Sequence, residues 1–226
     1  MLTTTELNFR YAPPGGFELR VPPLALAAGD TMAIVGPSGC GKSTLLSILA
    51  GERRPTSGTV RFGDQAISEL PDADRRAFRI TKVGLVFQEF RLVEYLDVLD
   101  NILLPCRLHP ALALDASMRS RAIALAERLG IAPHLHRLPE RLSHGERQRA
   151  AVARALVTNP RLLLADEPTG NLDPLGKQRL LSEVLAMARD TGAIVILATH
   201  DHALLPSFGR TLDFTRFEPA VTDGRA

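Results

Sequence analysis

The sequence predicts an α/β fold, in which a mostly parallel sheet carries a small antiparallel β subdomain and an α-helical subdomain. Two short apolar runs, 162–165 and 193–198, have the length and composition of buried parallel strands. Both runs end at polar residues, and ligands bind at the carboxyl ends of strands in open parallel sheets. A third run, 32–35, leads directly into a glycine-rich loop and a helix expected over 42–50.

The first part of the chain reads as short strands. Clusters of proline and glycine separate its extended stretches, which predicts small antiparallel strands that lead into a buried one. The predicted strands cover residues 7–11, 17–21, 31–35, 59–62 and 83–87.

Beyond residue 88 the composition changes to helix formers. A helix is expected over 115–129, a stretch rich in Ala, Arg, Leu and Glu that stops before Gly130. Ser143 is expected to be the N-cap of a long helix, because Glu146 three residues later completes a capping box. The arginines of this helix are expected to form a solvated or interface face; they are Arg147, Arg149 and Arg154.

Length and charge limit the organisation of the chain and its partners. A chain of 226 residues is long enough for one domain and too short for two such units. We assign a single domain to residues 1–226, with the helical subdomain inserted at 89–160 and a tail, 211–226, that is expected to fray. The formal net charge of +2, from 27 basic and 25 acidic residues, predicts no nucleic-acid partner.

Three features predict the compartment. The cysteines, Cys40 and Cys106, are too few for a disulfide framework and favour the reducing cytoplasm. Residues 1–6 have neither the basic start nor the apolar stretch of a secretion signal. The apolar runs are far shorter than the roughly 20 residues that span a bilayer, so a membrane role requires a partner.

Residues 36–43 read Gly-Pro-Ser-Gly-Cys-Gly-Lys-Ser, which is a phosphate-binding loop. Its glycines let backbone N–H groups approach phosphate oxygens, its lysine reaches the outer phosphates and its hydroxyl ligates magnesium. By itself the loop predicts a bound nucleotide. The predicted binding residues are Gly36, Ser38, Gly39, Cys40, Gly41, Lys42, Ser43 and Thr44.

Further fragments follow the loop in a fixed order, and together they resemble the nucleotide-binding subunit of ABC transporters. The resemblance covers residues 11–202 and implies a P-loop NTPase (RecA-like) fold, ATP and Mg²⁺ as ligands, and ATP hydrolysis. The fragments are the loop, Gln88, Leu-Ser-His-Gly-Glu at 142–146, Leu-Leu-Leu-Ala-Asp-Glu at 162–167, Asn-Leu-Asp at 171–173, and His200.

The resemblance gives each polar position a role. Adjacent residues at a strand end face opposite ways, so Asp166 is expected to serve magnesium while Glu167 polarises the attacking water as general base. His200 is expected to hydrogen-bond the γ-phosphate. The predicted catalytic residues are Glu167, His200, Gln88 and Lys42, and the predicted metal ligands are Ser43, Gln88 and Asp166.

The resemblance also implies a second copy of the chain. In that picture Ser143 and Gly145 close over the ATP of the other subunit, and Asp173 lies at the same interface. Tyr11 is expected to stack on the adenine, with packing on its small sheet as the alternative.

The 142–146 fragment departs from the family pattern at two positions. His144 replaces a glycine and Glu146 replaces a glutamine. Because Gly145 is retained, activity is expected to survive. If the His144 ring obstructs the site, His144→Gly should raise ATP turnover.

Residues 142–173 are similar to the branch that contains the lipoprotein-releasing, macrolide-efflux and cell-division ABC ATPases, with Gly170-Asn171 as the distinguishing pair. This likeness implies a permease with few membrane helices and a large extracytoplasmic domain, with the chain bound at the inner face of the membrane. A cytoplasmic regulator and an importer ATPase are the alternatives. Residues expected either to dock the permease or to fill the core are Phe90, Leu92, Tyr95 and Leu96.

Overall fold

A computed structural model describes residues 1–11, 17–170 and 172–216. The strands are β1 Leu2–Thr4, β2 Leu7–Arg10, β3 Glu18–Val21, β4 Ala25–Leu26, β5 Thr31–Val35, β6 Val60–Phe62, β7 Gln65–Ala66, β8 Val83–Val86, β9 Leu162–Asp166, β10 Ile194–Ala198 and β11 Arg210–Asp213. The helices are α1 Lys42–Leu49, α2 Asp72–Lys82, α3 Val98–Leu108, α4 Ala116–Arg128, α5 His144–Leu156 and α6 Pro174–Thr191.

The central sheet has five parallel strands in the order β11-β5-β10-β9-β8. Its strands are apolar because both faces are covered. On β9, Leu162 and Leu164 pack into the cluster that contains α1 and the antiparallel sheet, whereas Leu163 and Ala165 pack into the cluster of the helical subdomain. The predicted mostly parallel core is confirmed.

Two antiparallel sheets form the small β subdomain. One has the order β4-β1-β6-β7, and the other is the β2–β3 hairpin, in which Phe9 pairs with Leu19. A bridge between Asn8 and Ser57 links the hairpin to the segment before β6. The hairpin matters for the site because it places Tyr11 and Phe17 next to α1.

The helical subdomain follows the predicted start and stop signals closely. Asp115 caps α4, its side chain accepting from Met118 N at 2.8 Å, and Gly130 follows the helix with a left-handed φ of 68°. At α5 the capping box of Ser143 and Glu146 is present. The start of α5 at Ser143 is therefore encoded locally, by the side chains of Ser143 and Glu146 in its first turn.

The structure adds elements that the patterns did not predict, namely the helices α2, α3 and α6 and the strands β1, β4, β7 and β11. Residues 211–216, placed in the fraying tail, instead contribute to β11 and a short 3₁₀ turn, with β11 pairing in parallel with β5 and Phe214 buried. Edge pairing orders this stretch although its sequence pattern is weak. Asn171 and residues 217–226 lie outside the described residues. Among the described helices, none is both long and apolar enough to cross a membrane.

Candidate functional site

A cavity of about 750 Å³ opens at the carboxyl ends of β9 and β10, beside the start of α1. It gathers predicted site residues from five separate segments of the chain. Its lining is Tyr11, Phe17, Ser38, Gly39, Gly41, Lys42, Ser43, Thr44, Gln88, Asp166, Glu167, Gly170 and His200.

The phosphate loop forms one wall of this cavity. Gly41 is the N-cap of α1 with φ 103°, and a Cβ built on it would lie 2.6 Å from Phe17 Cζ, so only glycine fits there. Gly39, with φ 79°, has open space where a Cβ would stand. No described side chain caps α1 and no acidic residue lies in its first turn. The free N–H groups of this helix start suit an anion.

Lys42 is buried at the base of the loop, with 8% of its surface exposed. Its Nζ donates to the carbonyls of Gly36 at 2.8 Å and Pro37 at 2.9 Å, and lies 3.9 Å from Cys40 Sγ. Because carbonyl oxygens rather than a carboxylate accept these bonds, the ammonium charge is not neutralised by an anion of the loop. The charge is therefore available to phosphate oxygens.

Asp166 and Glu167 follow β9 into the cavity. Strand pairing ends at Asp166, which lies beside Ala198 of β10, and Glu167 N donates to Ala198 O at 3.0 Å. Glu167 has a left-handed φ of 48°, a conformation that costs a non-glycine residue about 1–2 kcal/mol. Strand alternation does not apply at this residue, because the backbone turns there, and both carboxylate residues line the same cavity.

The turn directs Glu167 toward His200. Glu167 Oε1 lies 2.9 Å from His200 Nδ1, and since the carboxylate accepts, Nδ1 carries the proton. The Glu167 side chain is 11% exposed and that of His200 is 68% exposed. The pair therefore joins a sheltered acceptor to an accessible imidazole whose other nitrogen is free to face a ligand.

The oxygen-bearing side chains that line the cavity include the Ser43 hydroxyl, the Gln88 amide and the Asp166 carboxylate. Mg²⁺ prefers oxygen ligands and binds through few protein groups beside phosphates and water. The three oxygen donors of Ser43, Gln88 and Asp166 are therefore of a kind that fits Mg²⁺.

Tyr11 lies at the cavity wall, 37% exposed. Its hydroxyl is hydrogen-bonded to Thr44 Oγ1 at 2.9 Å, and its ring meets Phe9 edge-on with centroids 4.9 Å apart. The Arg53 guanidinium lies 5.1 Å from the ring centroid. The ring thus packs on its small sheet and still presents surface to the cavity.

The remaining predicted binding residues lie outside the described lining of the cavity. Gly36 and Cys40 belong to the loop, and a Cβ on Gly36 would lie 2.8 Å from both Cys40 Sγ and Phe214 Cβ. Ser143, Gly145 and Asp173 lie at the starts of α5 and α6. Asp173 caps α6 by accepting from the backbone N–H of Gly176.

The start of α5 has a polar network of its own. Glu146 Oε2 accepts from Ser143 N at 2.7 Å and from Ser143 Oγ at 2.8 Å, while Glu146 Oε1 lies 2.8 Å from His134 Nε2. The Ser143 N–H and hydroxyl, with smaller help from His134 and Arg149, lower the pKa of Glu146. The His144 ring meets Phe90 edge-on at 4.8 Å.

The segment after Gln88 contains contacts that the sequence did not reveal. Arg154 is 8% exposed and donates to the carbonyls of Phe90 and Arg91, so it is not part of a solvated face. The available signal is its place in an alanine-rich run, since Ala150, Ala151, Ala153 and Ala155 are all buried. Phe90 is likewise core, Leu92 and Leu96 are half-buried, and Tyr95 is 83% exposed.

Comparison with known proteins agrees with this geometry. A family model described as "ABC transporter" matches residues 19–170. The chain is 42% identical over 190 residues to the lipoprotein-releasing system ATP-binding protein LolD of Hydrogenovibrio crunogenus, an alignment that covers 84% of this chain and 82% of LolD. It is also 42% identical over 186 residues to the macrolide export ATP-binding/permease protein MacB of Syntrophobacter fumaroxidans, covering 82% of this chain but 25% of MacB.

A solved structure extends the likeness to three dimensions. It is a dimeric post-hydrolysis state of the ATP-binding cassette MJ0796 bound to ADP and Pi, with a TM-score of 0.86, 29% identity and 94% coverage of both chains. The likeness spans the parallel sheet, the antiparallel subdomain and the helical subdomain together. On its sequence and on its fold, this chain belongs to the ABC transporter family.

Proposed function

We propose that this chain is the ATP-binding and ATP-hydrolysing subunit of an ABC transporter. The observation that carries the proposal is the convergence, in one cavity, of the uncapped start of α1, Lys42, Asp166 and the Glu167–His200 pair. Transfer of a phosphoryl group to water requires an anion-binding site, a cation that contacts the phosphates, and a general base with a hydrogen-bonding partner.

In the binding step the loop and the start of α1 accept the phosphates of ATP. Lys42 turns its ammonium from the carbonyls of Gly36 and Pro37 toward the β- and γ-phosphates, exchanging neutral acceptors for charged ones. Ser43, Gln88 and Asp166 hold Mg²⁺, which when bound neutralises charge on the phosphate oxygens. The exposed part of the Tyr11 ring provides a stacking surface for the adenine.

In the hydrolytic step Glu167 accepts the proton of the attacking water. The His200 Nδ1–H bond fixes one carboxylate oxygen and leaves the other for that water. The left-handed backbone at Glu167 holds the side chain in the cavity, so the strain there belongs to the catalytic geometry. Donation from the second imidazole nitrogen of His200 to the γ-phosphate requires a proton on that nitrogen as well, so His200 acts there as the imidazolium.

The test is Glu167→Gln, which keeps the size of the side chain and removes its basicity. Turnover of ATP should fall by a factor of about 10²–10⁴, with little change in ATP affinity. Glu127→Gln, on the exposed face of α4, is the matched control and should retain wild-type turnover. Wild-type turnover in Glu167→Gln would exclude Glu167 as the base.

We further propose that two copies of the chain close on two ATP molecules. Ser143, Gly145 and Asp173 lie at the starts of α5 and α6, outside the described lining of the cavity in their own chain, which leaves them available to the cavity of a neighbour. The related cassette described as a dimer with ADP and Pi supports this arrangement. In the proposed dimer of this chain, Ser143 and the start of α5 meet the γ-phosphate held by the partner subunit.

The permease is proposed to dock in a groove of about 670 Å³ beside α2, β8 and α3. Apolar side chains, including Phe87 and Leu108, line the groove together with Arg76, Arg79 and Arg91. Gln88 follows Phe87 in the chain, so a partner bound in the groove would contact the segment that carries Gln88. The names of the relatives LolD and MacB favour lipoprotein release or export as the driven process, with the chain bound at the inner face of the membrane.

A further inference from the structure

The segment that follows β8 has an unusual backbone. Phe90 has a φ of 58° and Arg91 a φ of 48°, so two consecutive non-glycine residues adopt the left-handed conformation. Phe90 N donates to Phe87 O at 3.1 Å, which closes a tight turn around Gln88. Such a backbone persists only when its surroundings hold it.

Arg154 of α5 is the group that holds it. One guanidinium nitrogen donates to Arg91 O at 2.6 Å and the other donates to Phe90 O. The planar fork of arginine fits two neighbouring carbonyls, a geometry that the point charge of lysine does not reproduce. Burial lowers the pKa of Arg154 to about 10, so the buried side chain is still charged at neutral pH.

The charge of Arg154 ties the turn to α5. Among the described residues, the hydrogen-bond acceptors of Arg154 are these carbonyls, and no carboxylate forms an ion pair with it. Pulling the turn away would leave a buried cation without acceptors, which is strongly unfavourable. A second tie joins the same elements, since the His144 ring at the start of α5 packs against Phe90.

We propose that Arg154 is a positioning residue for ATP hydrolysis, which fixes Gln88 at the cavity and makes the turn at 87–91 move together with α5. Because Ser143 caps α5, a displacement of Gln88 in one ATP site is transmitted to the group that serves the partner's site. This inference rests on the proposed function. It assigns no substrate contact to Arg154 itself.

Arg154→Lys tests the inference in the full chain. It keeps the charge and removes the fork. We expect kcat at saturating ATP to fall about tenfold while KM for ATP stays within about twofold, because the phosphate loop is untouched.

The chain offers a matched control in Arg121. Its half-buried guanidinium also forms a fork, donating to Val157 O at 2.8 Å and Leu156 O at 3.1 Å at the other end of α5, and to Asn159 Oδ1 at 3.2 Å. Burial lowers the pKa of Arg121 as well. Arg121→Lys should lower stability to a similar extent as Arg154→Lys and leave kcat within about twofold, since it does not touch the 87–91 turn.

A double-mutant cycle separates positioning from general damage. In a Gln88→Ala background, Arg154→Lys should have no further effect on kcat, because the group that it positions is already removed. An equal loss of kcat in the two backgrounds would overturn the inference. Wild-type turnover in Gln88→Ala would overturn it as well, together with the role of Gln88.

A spectroscopic reporter works whether or not the chain hydrolyses ATP. The sequence has no tryptophan, and Glu89 is exposed beside Gln88, so Glu89→Trp gives a single fluorophore on the turn. Arg154→Lys should speed its anisotropy decay and Arg121→Lys should not. If Arg154→Lys does not fold, His144→Ala removes the second tie from an exposed position and should also speed the decay.

The outcomes distinguish the two proposals. An unchanged anisotropy decay in Arg154→Lys, or in His144→Ala where it replaces that variant, would overturn the proposed role of Arg154. A faster decay in Arg154→Lys, together with no ATP turnover by the chain that keeps Arg154, would leave the tie between the 87–91 turn and α5 standing and would refute the proposed function.

Discussion

The proposed ATP site has a phosphate-loop half, formed by residues 36–44, and a signature half, formed by residues 142–146. Both halves are helix starts, yet they are built in opposite ways. At α1 no described side chain caps the helix, and the loop is concave toward a cavity of about 750 Å³. At α5 Ser143 and Glu146 satisfy each other in a capping box, and His134 supports Glu146. One start keeps its N–H groups for a ligand, whereas the other is already complete in the single chain.

The difference shows that the two halves of the shared site have separate roles, ATP binding and completion of the partner's site. The loop half has to bind ATP before any partner arrives, so its donors converge in one chain. The signature half needs only a rigid, correctly placed helix start that meets the partner's nucleotide on closure. The ionised Glu146 already offsets part of the positive end of α5, which weakens the pull of that end on a phosphate.

The largest difference in ATP affinity between the two halves is expected when Lys42, the charged donor of the loop, is removed. Lys42→Ala should weaken ATP binding by about 2–3 kcal/mol, because a charge-assisted hydrogen bond is lost. Ser143→Ala should leave the affinity of a single chain unchanged. Calorimetric titration with Mg-ATP, at concentrations where the protein is a single chain, measures both.

Equal losses of affinity in Lys42→Ala and Ser143→Ala would show that the signature half serves its own chain. The proposed sharing between two copies would then be wrong. Light scattering with Mg-ATP completes the test, since Ser143→Ala should reduce ATP-driven dimerisation.

A smaller contrast is expected from a pair of glycine substitutions. Gly41→Ala should destabilise the fold by about 1–3 kcal/mol, since φ is 103° and the new Cβ would lie 2.6 Å from Phe17 Cζ. Gly145→Ala should change stability by less than about 0.5 kcal/mol, because Gly145 has helical backbone and its Cβ would meet the flexible ends of two side chains, Leu172 at 2.9 Å and Arg149 at 3.4 Å. Urea unfolding of the two variants gives the comparison, and equal losses would contradict it.

The smallest effect concerns pH and the carboxylate of the signature half. Folding lowers the pKa of Glu146, so its ionised form stabilises the fold above the unfolded value of about 4.3, and this contribution is lost as pH falls below it. Glu146→Gln should therefore cost about 0.5 kcal/mol at pH 7, and this cost should shrink as pH falls through the lowered pKa of Glu146. A cost that does not depend on pH would show that the charge of Glu146 does not stabilise α5.

Local patterns allowed much of the fold and of the site to be predicted. The phosphate loop, the strands that end at Asp166 and Ala198, and the capping box at Ser143 each depend on neighbours within a few residues. The edge strand β11 was missed because its local pattern is weak. The role of Arg154 was missed, although the residue lies in an alanine-rich run, because its partners Arg91 and Phe90 are 63 and 64 residues away. The direction of Glu167 was inferred from strand alternation, whereas a left-handed turn sets it.

The sequence by itself determined the phosphate-binding chemistry and the set of carboxylate, amide and imidazole groups at strand ends, since these follow from composition and short spacing. Only the tertiary structure decided which of them meet. Glu167 and His200 are 33 residues apart, and Arg154 and Phe90 are 64 apart. Such contacts depend on how β9, β10 and α5 pack against one another, because packing fixes the distance between elements and buries the charges that then require partners.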